Sequence, residues 1–133
     1  MAAYKAELKV DGYTPKEKDP NNVQECFYDL YRHSENNNPT SDLRGGYISL
    51  IIKSSGADTF FADWMNSFEK EGKNGTVEFK GPENKTIRTV KFSKGNLVKY
   101  KEYFSRDGYN IESFTIITPK LEVGSVKFDI NKS

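Results

Sequence analysis

This chain is short of reactive side chains. Cys26 and His33 are the only cysteine and histidine in 133 residues. A lone cysteine excludes an intrachain disulfide, so the fold makes no demand on an oxidising compartment. A zinc site would lack its thiol and imidazole ligands. No apolar run approaches the roughly 20 residues a membrane-spanning helix needs. The opening Met-Ala-Ala-Tyr-Lys-Ala-Glu-Leu-Lys-Val has no apolar centre, so no signal peptide is expected. Charge of one sign is missing too: 20 basic residues against 19 acidic ones leave +1. Neither nucleic acid nor an anionic membrane is an expected partner on that balance. A near-neutral subunit also tolerates stacking in many copies, because little self-repulsion accumulates.

Catalytic groupings are equally sparse. Cys26 with His33 lacks a third, orienting group, and Cys26 alternates with Tyr28 and Leu30 as a small core residue would. Glu69/Glu71 and Glu102/Asp107 are carboxylate pairs of the kind any acidic surface offers. Gly45-Gly46 lacks the further glycines and the helix of a phosphate loop. Lys99-Tyr100-Lys101-Glu102-Tyr103-Phe104 mixes basic and aromatic residues, but inside-outside alternation accounts for it better than base stacking. The Asn-x-Ser/Thr triplets at Asn74, Asn84 and Asn131 read as turn and tail chemistry. No catalytic residue, cofactor or metal is expected.

What the chain does have is aromatic residues at regular spacing: nine Phe, eight Tyr and one Trp. Tyr4, Ala6, Leu8 and Val10 alternate with charged residues and predict a half-buried strand. A polar connection with Pro15 and Pro20 follows over 14–22. Residues 23–31 predict a strand apolar on both faces, with Cys26, Tyr28 and Leu30 opposite Phe27 and Tyr31, and 47–53 another. Phe60, Phe61, Trp64, Met65 and Phe68 lie on one face of a helix, capped by Asp58 or Thr59, with Lys70 in its last turn and Gly72 to stop it. That helix should plug one side or end of a sheet structure. Asn74-Gly75 predicts a turn before a strand at 76–80, and residues 81–84 predict another before 86–92. In 97–104, Val98, Tyr100 and Phe104 share one face. Arg106-Asp107-Gly108 turns into 111–118, and Val126, Phe128 and Ile130 mark a last strand. Many short strands and one short flanking helix argue a mainly β, two-sheet barrel or sandwich, in one domain spanning 1–133.

Between the second and third apolar runs lies a polar excursion, residues 33–46 (His-Ser-Glu-Asn-Asn-Asn-Pro-Thr-Ser-Asp-Leu-Arg-Gly-Gly). A loop of this length in a compact domain is usually either functional or disordered, and the bland reading is a mobile surface loop with no partner. Without catalytic chemistry to serve, it reads as an arm that docks on a partner.

The order of these features resembles the tube protein of type VI secretion systems, the haemolysin-coregulated protein family (Hcp, TssD) in its Bacteroidetes-type form. The resemblance rests on Lys5-Ala6-Glu7-Leu8-Lys9-Val10-Asp11-Gly12, Glu25-Cys26, the long loop with Pro39 and its exit Arg44-Gly45-Gly46, the helix around Trp64-Met65, and residues 97–104. The connection 14–22 is longer than the family pattern, and 121–133 lacks the family's acidic, Gly-Asn-rich end.

The resemblance implies a homo-hexameric ring, rings stacked into a tube, and a contractile sheath that expels the tube from the cell. Partners would then include sheath, spike and baseplate components and effector proteins, with no nucleic acid and no insertion into membrane. The chain would be cytoplasmic before firing and secreted afterwards without a signal peptide. On this reading the arm bridges neighbouring subunits or rings. Asn36, Asn37 and Asn38 would offer amide hydrogen bonds, and Pro39 would limit the entropy lost on docking. Arg44 would pair with a neighbour's carboxylate, and Gly45 and Gly46 would return the chain to the sheet. The competing readings are a phage-like tail-tube protein and a monomeric β-barrel that binds a small ligand.

Overall fold

A computed structural model describes residues 4–13, 23–54, 59–67 and 71–130. The connection 14–22, Asp58, Phe68, Glu69, Lys70 and Asn131 lie outside the described residues. The strands are β1 (Lys5–Val10), β2 (Val23–Tyr31), β3 (Ser34–Glu35), β4 (Asn38–Pro39), β5 (Arg44–Lys53), β6 (Lys73–Lys80), β7 (Thr86–Phe104), β8 (Asn110–Ile117), β9 (Lys120–Val123) and β10 (Val126–Asp129), with helix α1 (Phe60–Asn66) between β5 and β6. All but β3 and β4 join in one curled sheet of eight strands, along β1-β6-β7-β8-β5-β2 with β9 and β10 beside β7. Every pairing is antiparallel.

The barrel turns on β7. Its first part pairs with β6 and β9, and its second part, from Asn96, pairs with β8. It therefore belongs to both walls. The sequence pattern predicts two strands here, 86–92 and 97–104, with a break between. The structure shows 19 continuous residues. The interruption at Lys94, in left-handed backbone (φ 57°), is where the strand passes from one wall to the other. A bulge between Leu97 and Lys99 then resets the alternation. Leu97 and Tyr100 turn inward, whereas Val98 and Phe104 are exposed, so the predicted face Val98-Tyr100-Phe104 does not form.

The first wall (β1, β6, the start of β7, β9, β10) turns Leu8, Val77, Val90, Phe92 and Leu121 inward. Its outer face is a lattice of charges: Lys9, Thr76, Lys91, Glu122 and Lys127 are successive register partners across five strands. The Lys91–Glu122 contact there is 3.9 Å, an exposed pair that contributes little stability. The second wall (β2, β5, β8, the end of β7) buries Ile48, Leu50, Ile52, Phe114 and Ile116.

Helix α1 packs on β7 and supplies the aromatic plug. Phe61 stacks on Phe114 at 4.2 Å, Tyr13 packs at 4.9 Å from Phe61, and Trp64 is 2% exposed. Met65, expected on this face, is exposed instead, because seven residues allow only two turns to reach the core. Thr59 holds the N-cap position, but its hydroxyl bonds the Asp63 carboxylate at 2.9 Å and leaves the backbone uncapped.

The predicted turn at Asn74-Gly75 is a second correction. Both residues lie inside β6. The Asn74 side chain accepts from Lys94 N–H (3.1 Å), and a Cβ on Gly75 would stand 2.3 Å from the Phe92 ring and 2.7 Å from the Lys9 carbonyl oxygen. The glycine serves close packing rather than reversal. The turn at 81–84 does form, with Glu83 and Asn84 both at positive φ. Strand β9, which the pattern did not predict, forms a hairpin with β10.

Candidate functional site

The arm leaves the end of β2 and returns at the start of β5. It is a small hairpin. Ser34 pairs with Pro39 and Glu35 with Asn38. Asn36 (φ 50°) and Asn37 (φ 69°) hold successive left-handed positions, the signature of a two-residue primed turn. Asparagine tolerates that region better than other residues with a Cβ, so these two shape the turn as well as presenting amides. The arm's root is tied by hydrogen bonds. Thr40 N–H donates to the His33 carbonyl (2.7 Å), His33 N–H to Ser41 Oγ (2.8 Å), and Ser41 Oγ to the Asp42 carbonyl (3.0 Å). The Tyr31 ring meets the His33 ring edge-on at 5.7 Å. Every residue from 31 to 40 is exposed.

The predicted site residues therefore fall into two groups. Asn36, Asn37, Asn38 and Pro39 sit together at the tip. Arg44, Gly45 and Gly46, expected in the loop, are the first residues of β5. Arg44 is exposed opposite Tyr31, and among the described residues its guanidinium makes no ion pair. Gly45 and Gly46 are confined by space and by backbone. Both have positive φ (101° and 76°). A Cβ on Gly45 would lie 2.7 Å from the Asp29 carbonyl oxygen, and one on Gly46 2.6 Å from that of Thr118. They anchor the arm against β2 and β8.

Among the described residues, the catalytic groupings weighed from the sequence do not converge. Burial pushes the Cys26 thiol up from 9.0 to about 12, which keeps it protonated and unreactive at neutral pH. His33 stands on the exposed arm. Glu102 accepts a bond from Ser54 (3.3 Å), while Asp107 binds Ser105 and Tyr109 N–H within its own turn. Sequence reasoning missed Glu112, which is buried and accepts a 2.7 Å hydrogen bond from the Tyr100 hydroxyl. Its place within a strand pattern carried no signal. Among the described residues no cluster of His, Cys, Asp or Glu could hold a metal ion.

The outer face of the second wall is the other notable surface. The sequence pattern predicts β2 covered on both sides, but Phe27 is 62% exposed, and Tyr31 and Tyr47 also face solvent. One register row across this wall reads Glu25, Ile51, Ser113, Lys101. The next reads Phe27, Ser49, Thr115, Lys99. Acidic side chains thus occupy the β2 margin, basic ones the β7 margin, and hydroxyls the middle, with Ser49 and Thr115 bonded at 3.1 Å.

The chain is thus a two-walled β-barrel with a plugging helix, an exposed arm and oppositely charged margins on its second wall. The family model for Hemolysin coregulated protein Hcp (TssD) matches residues 2–131. Among solved structures, Hcp1 from Flavobacterium johnsoniae is 32% identical with a TM-score of 0.77, covering 94% of this chain and 98% of its own. Hcp1 from Salmonella typhimurium, 14% identical, shares the fold with a TM-score of 0.73 over 96% of this chain and 95% of its own. A chain of the anti-feeding prophage baseplate, 8% identical, shares it with a TM-score of 0.56 over 92% and 93%. No curated protein matches the chain. The chain belongs to the Hcp (TssD) family and is a structural tube subunit of a type VI secretion system.

Proposed function

We propose that the whole chain acts as one unit that closes head-to-tail into a hexameric ring, and that rings stack into a tube expelled by a sheath. The charge-segregated second wall carries this reading. A ring requires two different surfaces that complement each other. Glu25 and Asp29 at one margin and Lys99 and Lys101 at the other supply them on one sheet. The arm adds a second contact, and simultaneous weak contacts hold an assembly far better than each holds a pair. In this role the tube carries effector proteins, meets sheath, spike and baseplate components, and passes from cytoplasm to exterior. The role is mechanical, without catalysis.

The phage-like tail-tube alternative shares this architecture, as the prophage baseplate match illustrates. A ligand-binding barrel is disfavoured by the aromatic packing of Phe61, Phe114 and Trp64 in the interior. Electron microscopy with analytical ultracentrifugation tests the proposal. End-on rings with a central hole and six-subunit particles are expected. A 15.2 kDa species at every concentration would overturn it.

A further inference from the structure

The arm and an apolar cleft occupy opposite ends of the second wall. The arm springs from the Tyr31–Arg44 end. At the other end Lys53 pairs with Ile111, and Ile111 with Tyr103. A cleft of about 270 Å³ opens there, on the outer face, lined by Ile51, Lys101, Tyr103, Tyr109, Ile111 and Ser113. Ten residues of β5 separate the two features, roughly 30 Å of extended chain. Tyr103 and Tyr109 are about half exposed.

We propose that this cleft receives the tip of the arm from a second copy of the chain, the axial neighbour in the next ring. The inference rests on the tube reading and names the contact that joins one ring to the next. Three observations carry it. Features at opposite ends of one sheet cannot meet within a subunit, but they meet whenever copies are placed end to end, and such unlike surfaces propagate into an open filament.

The charges match. Residues 34–41 contain a single charged side chain, Glu35, and among the described residues Lys101 is the single charged one lining the cleft, with Lys53 close by in the ladder. The chemistry matches as well. Phenol and hydroxyl groups of Tyr103, Tyr109 and Ser113 can bond the amides of Asn36, Asn37 and Asn38, while the tyrosine rings offer flat apolar walls to the Pro39 ring. The turn is already formed and its root already tied, so little ordering is left for docking to impose.

A charge swap tests the contact. Glu35→Lys and Lys101→Glu are made singly and together in the full chain. Native mass spectrometry reads ring formation and electron microscopy reads tube length. Each single variant should form rings but need about tenfold more protein to form tubes, and the double variant should regain the parent's threshold. Single variants that stack like the parent, or a double variant without rescue, overturn the proposal. So does loss of the rings themselves, which assigns the arm to a lateral neighbour. A second measurement pairs Asn37→Cys with Tyr103→Cys. Oxidation should give disulfide ladders longer than one ring; ladders that stop at ring size, or none, count against it. A parent chain that forms no rings overturns the tube reading instead.

Discussion

Strand β5 has an excursion at each end, and the two show how one short chain divides its tasks. Before β5 comes the arm, built from Asn, Ser, Pro and Thr, with every residue from 31 to 40 exposed. After it comes α1, Phe-Phe-Ala-Asp-Trp-Met-Asn, with Phe61 and Trp64 fully inside. The arm keeps its shape through backbone conformation and a few hydrogen bonds at its root. The helix is too short to be stable alone and exists because it fills the barrel. Stability is therefore concentrated on one side of β5 and, on the proposed function, recognition on the other.

The contrast can be broken by mutation. Trp64→Ala should cost about 3–5 kcal/mol by emptying a close-packed aromatic site, and thermal denaturation should show a collapse of the transition. A Trp64 variant that melts like the parent would remove the helix from the core. Gly46→Ala, at the arm's root, should cost about 1–3 kcal/mol, because the alanine needs both a strained backbone and space held by Thr118. Urea unfolding would measure it, with tip residues unaffected.

Cys26 sharpens the comparison through pH. Burial raises its native pKa from 9.0 to about 12. Above pH 9 the unfolded chain releases a proton that the fold retains, so this contribution to stability is complete below pH 9 and declines as pH rises beyond it. In practice the thiol should resist alkylation at pH 8 until denaturant is added; rapid native labelling would show that β2 opens readily. Deleting residues 36–41 should change the midpoint least, by under about 0.5 kcal/mol, while abolishing tube assembly and leaving rings intact. Unchanged assembly would take the arm out of the mechanism.

Much of this was legible in the residues. Alternation located β1 and β10, because a strand with one buried face must alternate, and apolar runs bounded by turns located β2, β5 and β8. The aromatic spacing located α1. What alternation cannot report is which partner covers an apolar side chain. Phe27 and Tyr31 read as buried because they are apolar, yet among the described residues nothing covers Phe27. Nor can it tell a turn from a close approach, which is why Gly75 looked like a reversal and is a packing site beneath Phe92. The arm's existence was plain from its polarity. Its hairpin was hidden, since two pairs of residues joined through Asn36-Asn37 carry almost no periodicity. The aromatic cleft was hidden for another reason: Ile51, Tyr103 and Ile111 come from three strands, and only the register brings them side by side.

The unbroken course of β7 has a consequence for a subunit that, on the proposed function, a contracting sheath expels. A tension applied to either half of the barrel passes along peptide bonds into the other half, with no noncovalent seam in between. The halves cannot shear apart without tearing the ladders on both flanks of one strand together. A subunit stitched in this way is suited to sudden thrust.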